Sequence, residues 1–189
     1  MKRSFRIHIR IYPAFIILIL SLAGISCENK INLVPNSDLL TLPSLSVKDV
    51  ETVYMDSGRL ELVLSAPVIE EYNNIESPYD EFKLGIKLVF YDGKKESQGT
   101  VTSRYAKYTK ASNLWELRDS VVVINEGNDK LETEVLYWDE TKNLIYSDRF
   151  VKITNEDQIV MGTGFESDPR LSKRKIKKVS ATIYLKDEK

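Results

Sequence analysis

Cys27 is the only cysteine of the chain, and its position indicates one definite chemistry, the attachment of lipid to a protein N-terminus. Basic side chains at the start of the chain precede an almost entirely apolar stretch over about residues 11–23, and small residues separate this stretch from Cys27. This layout is typical of a secretion signal. The thiol of a cysteine in the first mature position can carry diacylglycerol, and the freed amine can carry a further chain, each buried methylene contributing about 0.8 kcal/mol. We therefore predict a lipoprotein signal peptide over residues 1–26 and a lipid anchor on Cys27.

Two alternatives to this lipid anchor remain open at the level of sequence. The apolar run could stay in the membrane as a helix, although it is shorter than the roughly 20 residues that a span needs and Pro13 interrupts its start. Cys27 could also be a free thiol, since Gly24 stands where a larger aliphatic residue is usual in a lipoprotein signal.

The mature chain lacks the side chains that most enzymes use for nucleophilic or zinc chemistry. His8 is the only histidine, and it lies in the predicted signal. This excludes His-dependent triads, thiol nucleophiles apart from Cys27, and zinc sites built on His or Cys. Carboxylate chemistry, such as that of a glycosidase, remains possible, but the sequence indicates no catalytic residue and no cofactor or metal site.

The charge of the mature chain argues against nucleic acid as a partner. The whole chain has 27 basic and 28 acidic residues, and four basic ones lie in the predicted signal, so the mature part carries a net charge of −5. A nucleic-acid binder would be basic overall. A local basic cluster, Lys173 to Lys178, is interpreted as a solvated turn before the last strand, with contact to phosphates as the alternative.

The chain after the signal divides into a tether and a β domain. Residues 27–46 are rich in Asn, Ser and Pro and predict a flexible tether. From Val47 to about residue 186, short segments with period-two alternation recur between turn residues, which predicts nine or ten antiparallel strands and an all-β fold. Apolar side chains that share strand faces are the candidates for an apolar lining: Leu62, Leu64, Ile86, Phe90, Trp115, Leu117, Val121, Val123, Val135 and Ile153. Gly162 and Gly164 predict a bulge or tight bend and not a phosphate loop.

A weak repeat runs through this domain, and its order of motifs resembles one protein family. The fullest copy contains Leu114-Trp115-Glu116-Leu117, then Leu131-Glu132-Thr133-Glu134, Tyr137-Trp138-Asp139 and Ile145-Tyr146-Ser147-Asp148. Together with Leu45 to Val50 and Ser57 to Leu60, this run resembles the LptC family of lipopolysaccharide export, in the lipoprotein form of Bacteroidetes-type bacteria.

The resemblance implies a twisted, open antiparallel β-jelly roll of the OstA-like class with an apolar groove. It implies a component on the periplasmic face of the inner membrane that catalyses no reaction, accepts lipopolysaccharide from an LptBFG-type ABC transporter and hands it to an LptA-type bridge protein. The first strand would meet the transporter and the last strand the bridge. The apolar face of that last strand is expected to hold Val179, Ala181, Ile183 and Leu185.

The residues themselves leave several alternatives to this function. The ten candidate lining residues could form an ordinary packed core, because a groove and a core need the same alternation. The last strand could be internal and not an edge. Ser180 to Leu185 carry neither charge nor proline, the features that usually protect a free edge strand from pairing with other chains. The competing functions are a surface lipoprotein that binds polysaccharide through exposed aromatics and a carboxylate-based glycosidase. Tyr137 and Trp138 cannot share one sugar platform, since neighbouring strand residues face opposite sides.

Overall fold

A computed structural model of the chain describes residues 42–93 and 96–185. The predicted signal, Cys27 and most of the predicted tether lie outside this range. The described residues form eleven strands: β1 (Leu45–Asp56), β2 (Arg59–Tyr72), β3 (Tyr79–Phe82), β4 (Ile86–Tyr91), β5 (Ser97–Ser103), β6 (Tyr105–Thr109), β7 (Leu114–Asn125), β8 (Lys130–Asp139), β9 (Leu144–Thr154), β10 (Gln158–Ser167) and β11 (Lys175–Tyr184).

Antiparallel pairing joins all of these strands into one sheet, which divides between β2 and β7. The early part of β2 pairs with β4, β4 with β5, and β5 with the end of β7. The end of β2 pairs with β3, β3 with β6, and β6 with the start of β7. The sheet therefore has two halves, named here the β4–β5 half and the β3–β6 half, and the long strands β7 to β10 run through both. This confirms the predicted all-β jelly-roll class.

The strand count differs from the predicted nine or ten at two places. One continuous stretch of strand-forming residues is divided into two strands, because the chain leaves β5 at Ser103 and enters β6 at Tyr105. Strand β3 was not predicted, since Tyr-Asp-Glu-Phe has no apolar alternation. β1 begins at Leu45, two residues before the predicted domain boundary.

The long strands bend where they cross between the halves. In β7, Asp119 and Ser120 have φ angles of 61° and 57°, and the pairing with β8 shifts between Arg118 and Val121. β9 repeats this pattern, with three exposed residues between two alternating buried segments. In β10, register shifts adjoin Gly162 and Gly164, and the φ of 76° at Gly164 lies in the left-handed region, which favours glycine. The predicted glycine bulge is confirmed.

Buried hydroxyl groups satisfy the backbone at these bends. Ser147, only 1% exposed, donates to the Val135 carbonyl at 2.6 Å and accepts from the Arg149 N–H at 3.1 Å. Thr133 donates to the Phe150 carbonyl at 2.9 Å. Bulges break the regular ladder and leave such groups without a strand partner. These hydroxyls therefore let the strands bend without unsatisfied buried polar groups.

The core lies between the two halves and draws on both. Leu88 of the β4–β5 half and Ala106 of the β3–β6 half are each 0% exposed, as are Val121 and Val151 just beyond the bends. These residues belong to one apolar cluster that also contains Leu171 from the β10–β11 loop.

Candidate functional site

An apolar cleft opens between the two halves beside β1. Its volume is about 530 Å³, within the roughly 300–1,000 Å³ typical of ligand sites. Strands β1, β2, β3, β4, β6, β7 and β8 supply its walls. The lining residues are Thr52, Tyr54, Glu61, Leu62, Leu64, Ile69, Asp80, Phe82, Phe90, Tyr108, Trp115, Trp138 and Glu140.

Aromatic rings form a continuous wall on one side of this cleft. Trp115 stands at its centre, with ring centroids 5.7 Å from Phe82, 4.7 Å from Tyr108 and 6.3 Å from Trp138. Trp138 meets Phe90 edge-on at 5.6 Å. Rings locked against each other in this way hold an apolar wall in place when no ligand is present.

The polar groups on the cleft wall are mainly carboxylates and hydroxyls. The Trp115 indole N–H donates to Glu140 at 2.9 Å, and the Tyr108 hydroxyl lies 3.4 Å from the same carboxylate. Burial, then the carboxylates of Asp80 and Glu140, raises the pKa of the Tyr54 hydroxyl above its ordinary value. No basic side chain lines the cleft among the described residues. The site is therefore suited to apolar chains with neutral polar groups.

The indole N–H of Trp138 is a further polar feature of the cleft wall. It is buried and has no hydrogen-bond partner among the described residues. A buried donor without an acceptor costs about 1–3 kcal/mol.

Two smaller recesses continue the interior along the sheet. A recess of about 190 Å³ shares Phe90 and Trp138 with the cleft and also contacts Val123 and Pro169. Another, of about 270 Å³, lies near β11, where Ile153 forms part of its wall. The interior is thus open at the β1 end and near β11 and packed between them.

The structure distributes the ten predicted lining residues among these places. Leu62, Leu64, Phe90 and Trp115 line the 530 Å³ cleft, Val123 lines the 190 Å³ recess, and Ile153 lines the 270 Å³ recess. Leu117 and Val121 are 1% and 0% exposed in the packed cluster, and Ile86 is 5% exposed. Trp138, Phe82 and Tyr108 were not predicted.

The placement of Val135 on the lining face was wrong. The register of β8 with β9 shifts between Thr133 and Tyr137. This irregularity places Leu136 and Trp138 inside, while Tyr137 stacks on Tyr146 at 5.1 Å, on the opposite face. The opposite orientation of Tyr137 and Trp138 is as predicted.

Both outer strands have one free edge in the described part of the chain. β1 pairs only with β2, and β11 pairs only with β10, so the prediction that these are the sheet edges is confirmed. The two ends of the sheet carry several exposed large apolar side chains, with Val53 51% exposed and Ile183 47% exposed.

The predicted common face of β11 needs one correction. The register shifts so that Gly162 opposes Val179 while Met161 opposes Ala181, which makes Ser180 an extra residue. Val179 consequently lies in the wall of the interior recess near β11. Ala181 opposes Met161, and Ile183 opposes Ile159. Because side chains alternate with a period of two, the extra residue reverses the faces, and Ala181 and Ile183 lie on the outer face.

Two of the cations in the predicted basic cluster have acidic partners. Arg174 lies 2.8 Å from Asp129, and Lys177 lies 2.6 Å from Glu166. The cluster begins in the loop before β11 and continues into that strand.

The family comparison agrees with this architecture. A family model described as lipopolysaccharide-assembly, LptC-related, matches residues 14–185, nearly the whole chain. The chain belongs to the LptC-related family. Members of this family act in lipopolysaccharide transport and are associated with the periplasmic side of the inner membrane. A comparison with curated proteins gave no match.

Two features of the described residues bear on membrane and metal binding. They include no helix long and apolar enough to cross a membrane. They also include no group of three or more His, Cys, Asp or Glu side chains placed to hold a metal ion.

Proposed function

We propose that this LptC-related protein accepts the acyl chains of lipopolysaccharide in the cleft beside β1 and passes them toward β11. The observation that carries the proposal is the 530 Å³ cleft, which lies between the sheet halves and is walled by aliphatic and aromatic side chains. Such a site binds acyl chains favourably, because each methylene buried from water contributes about 0.8 kcal/mol to the free energy of binding.

Four of the predicted lining residues carry most of this contact: Leu62, Leu64, Phe90 and Trp115. Trp138 adds aromatic surface to this contact, because it lines the same cleft. Acidic groups on the cleft wall repel phosphate. The phosphates therefore remain in solvent while the chains enter.

The two free edges fit the partners that the family resemblance implies. An unpaired strand edge recruits another strand through backbone hydrogen bonds. In this proposal β1 adds to the roll of an LptBFG-type ABC transporter and β11 adds to an LptA-type bridge protein, so that the interiors join. The protein itself catalyses no reaction, and the energy comes from the transporter.

The N-terminal part of the proposal concerns anchoring. Residues 1–26 direct export and are removed, the lipid on Cys27 holds the protein at the periplasmic face of the inner membrane, and residues 28–44 connect the lipid to the sheet, which begins at Leu45.

Site-specific photo-crosslinking tests this function. Benzoylphenylalanine at Leu62 lies in the cleft, and the matched control at Tyr137 lies on the outer face of the same sheet. We expect lipopolysaccharide adducts at Leu62 and none at Tyr137 in cells carrying the complete export machinery. Equal adducts at both positions, or none at Leu62 in a folded protein, would contradict the proposal.

A further inference from the structure

The β10–β11 loop crosses the interior of the fold between two recesses, one beside the cleft and one near β11. This segment, Asp168–Arg174, is called the strap. Pro169 and Arg170 line the 190 Å³ recess that adjoins the cleft, and Arg174 lines the 270 Å³ recess near β11. The strap therefore separates the two recesses.

Leu171 inserts the strap into the core. Its side chain is 1% exposed and belongs to the central apolar cluster, although it comes from a loop and not from a strand. Its φ of 58° lies in the left-handed region, which is unfavourable for a bulky side chain. Burial holds Leu171 in this strained conformation, so withdrawal of the side chain releases strain and lowers the cost of opening.

An ion pair fastens the strap to the opposite half of the sheet. Arg174 Nη1 lies 2.8 Å from Asp129 Oδ2, and the two side chains are 30% and 18% exposed. Asp129 belongs to the β7–β8 turn, directly before the part of β8 that continues the β4–β5 half. The strap leaves β10 in the β3–β6 half, where Ser167 opposes Ile145. The pair thus bridges the halves across the interior.

The strap is a compact unit that leads directly into the edge strand. The Leu171 N–H donates to the Asp168 carbonyl at 3.0 Å, and the Lys173 N–H donates to the Asp168 carboxylate at 2.8 Å. β11 begins at Lys175, the residue after Arg174. Because no flexible linker separates them, a strand that adds to β11 acts on Arg174 and Leu171 through the backbone.

From these contacts we infer that the strap is a gate within the lipid path. When closed, Leu171 fills the interior, and acyl chains stop in the cleft beside β1. When the Arg174–Asp129 pair breaks and Leu171 withdraws, the cleft and the recess near β11 become one channel. This inference rests on the proposed function, since it assigns a step in the passage of the same lipid.

The test compares lipid adducts on the two sides of the strap in the full-length protein within its export complex. Benzoylphenylalanine at Leu62 reports lipid in the cleft, and at Val179 it reports lipid beyond the strap. Arg174→Glu removes the ion pair and should raise the ratio of Val179 to Leu62 adducts by about 1.4-fold to fivefold, the range expected for loss of a partly exposed ion pair. Combining it with Asp129→Arg restores the pair with reversed charges and should return the ratio to its original value.

Two further variants control the test. Lys152→Glu breaks the pair with Glu132, which joins the neighbouring strands β8 and β9 and does not bridge the halves, so the ratio should not change. Leu171→Gly removes the inserted side chain, and glycine adopts the φ of 58° freely, so the ratio should rise.

The outcomes separate the two proposals. Adducts at Leu62 with a ratio that neither Arg174→Glu nor Leu171→Gly changes would overturn the gate and leave the transport function standing. A ratio that rises equally with Lys152→Glu would overturn it as well. Absence of adducts at Leu62 in the otherwise unaltered protein would overturn the transport function, and the gate with it.

Discussion

The free edge of β11 can be tested by two neighbouring proline substitutions with opposite expected effects. The Leu185 N–H donates to the Asp157 carbonyl at 2.8 Å, and Ile183 opposes Ile159. Since hydrogen-bonded and non-bonded pairs alternate in an antiparallel ladder, the N–H of Ile183 points toward β10. The N–H of Thr182 therefore points away from the sheet, toward a strand that would add to this edge.

Thr182→Pro should weaken partner binding while the monomer stays folded. An edge strand tolerates proline where its N–H faces solvent. In the complex, a partner carbonyl loses its donor and stays unsatisfied, which costs about 1–3 kcal/mol. This corresponds to an increase in Kd of about fivefold to 150-fold.

Ile183→Pro is the matched control, because it removes a donor inside the ladder. It should lower the free energy of unfolding by a similar amount, with the outward donors of β11 retained. Urea denaturation measures the stability of each variant, and biolayer interferometry with the LptA-type bridge protein proposed as its partner measures its Kd. The reasoning is refuted if Thr182→Pro binds as tightly as the original protein, or if Ile183→Pro loses binding without losing stability.

Three further predictions concern the anchor, the bends and the cleft wall. Cys27→Ala should move the protein from the membrane fraction to the soluble periplasmic fraction, and retention in the membrane would support an uncleaved helix. Ser147→Ala should lower the free energy of unfolding by about 1–3 kcal/mol, because the Val135 carbonyl loses its buried donor; an unchanged urea midpoint would contradict this. Burial raises the pKa of the Asp80 carboxyl despite the Lys110 ammonium at 2.8 Å, so the folded state binds its proton more tightly than the unfolded state. The free energy of unfolding should therefore fall as pH rises from the pKa of Asp80 in the unfolded state through its higher pKa in the folded state. Urea midpoints measured from acid to neutral pH should show this fall, and Asp80→Asn should remove the contribution that Asp80 makes to it.

Period-two alternation predicted the fold well because most inward positions keep the same parity along each strand. In β7, Leu117 and Val121 lie on either side of the bend and are four residues apart. Because four is an even number, alternation correctly predicted that both side chains point inward. In β8 the inward positions on either side of the irregularity are Thr133 and Leu136, an odd separation. The parity reversed there, and Val135 was placed on the wrong face. Ser180 caused the same error for Val179.

The cleft could not be predicted from the strands alone, because packed and open interiors use the same alternating side chains. The difference depends on what fills the space between the halves. Leu171 fills it in the middle of the fold, and no strand pattern identifies a loop leucine as part of the core. Aromatic residues offered a partial signal: Trp115 was among the predicted lining residues, and Trp138, which lines the same cleft, was not.

Intrinsic fluorescence provides the most direct test, since the only two tryptophans of the chain, Trp115 and Trp138, both line the cleft. Lipopolysaccharide carrying a nitroxide on an acyl chain should quench this fluorescence, and unlabelled lipopolysaccharide should reverse the quenching by competition. The same nitroxide on the sugar portion should quench much less, because that portion stays in solvent. If the acyl-chain label gives no more quenching than the sugar label, the lipid does not enter between the two halves of the sheet, and the account is wrong.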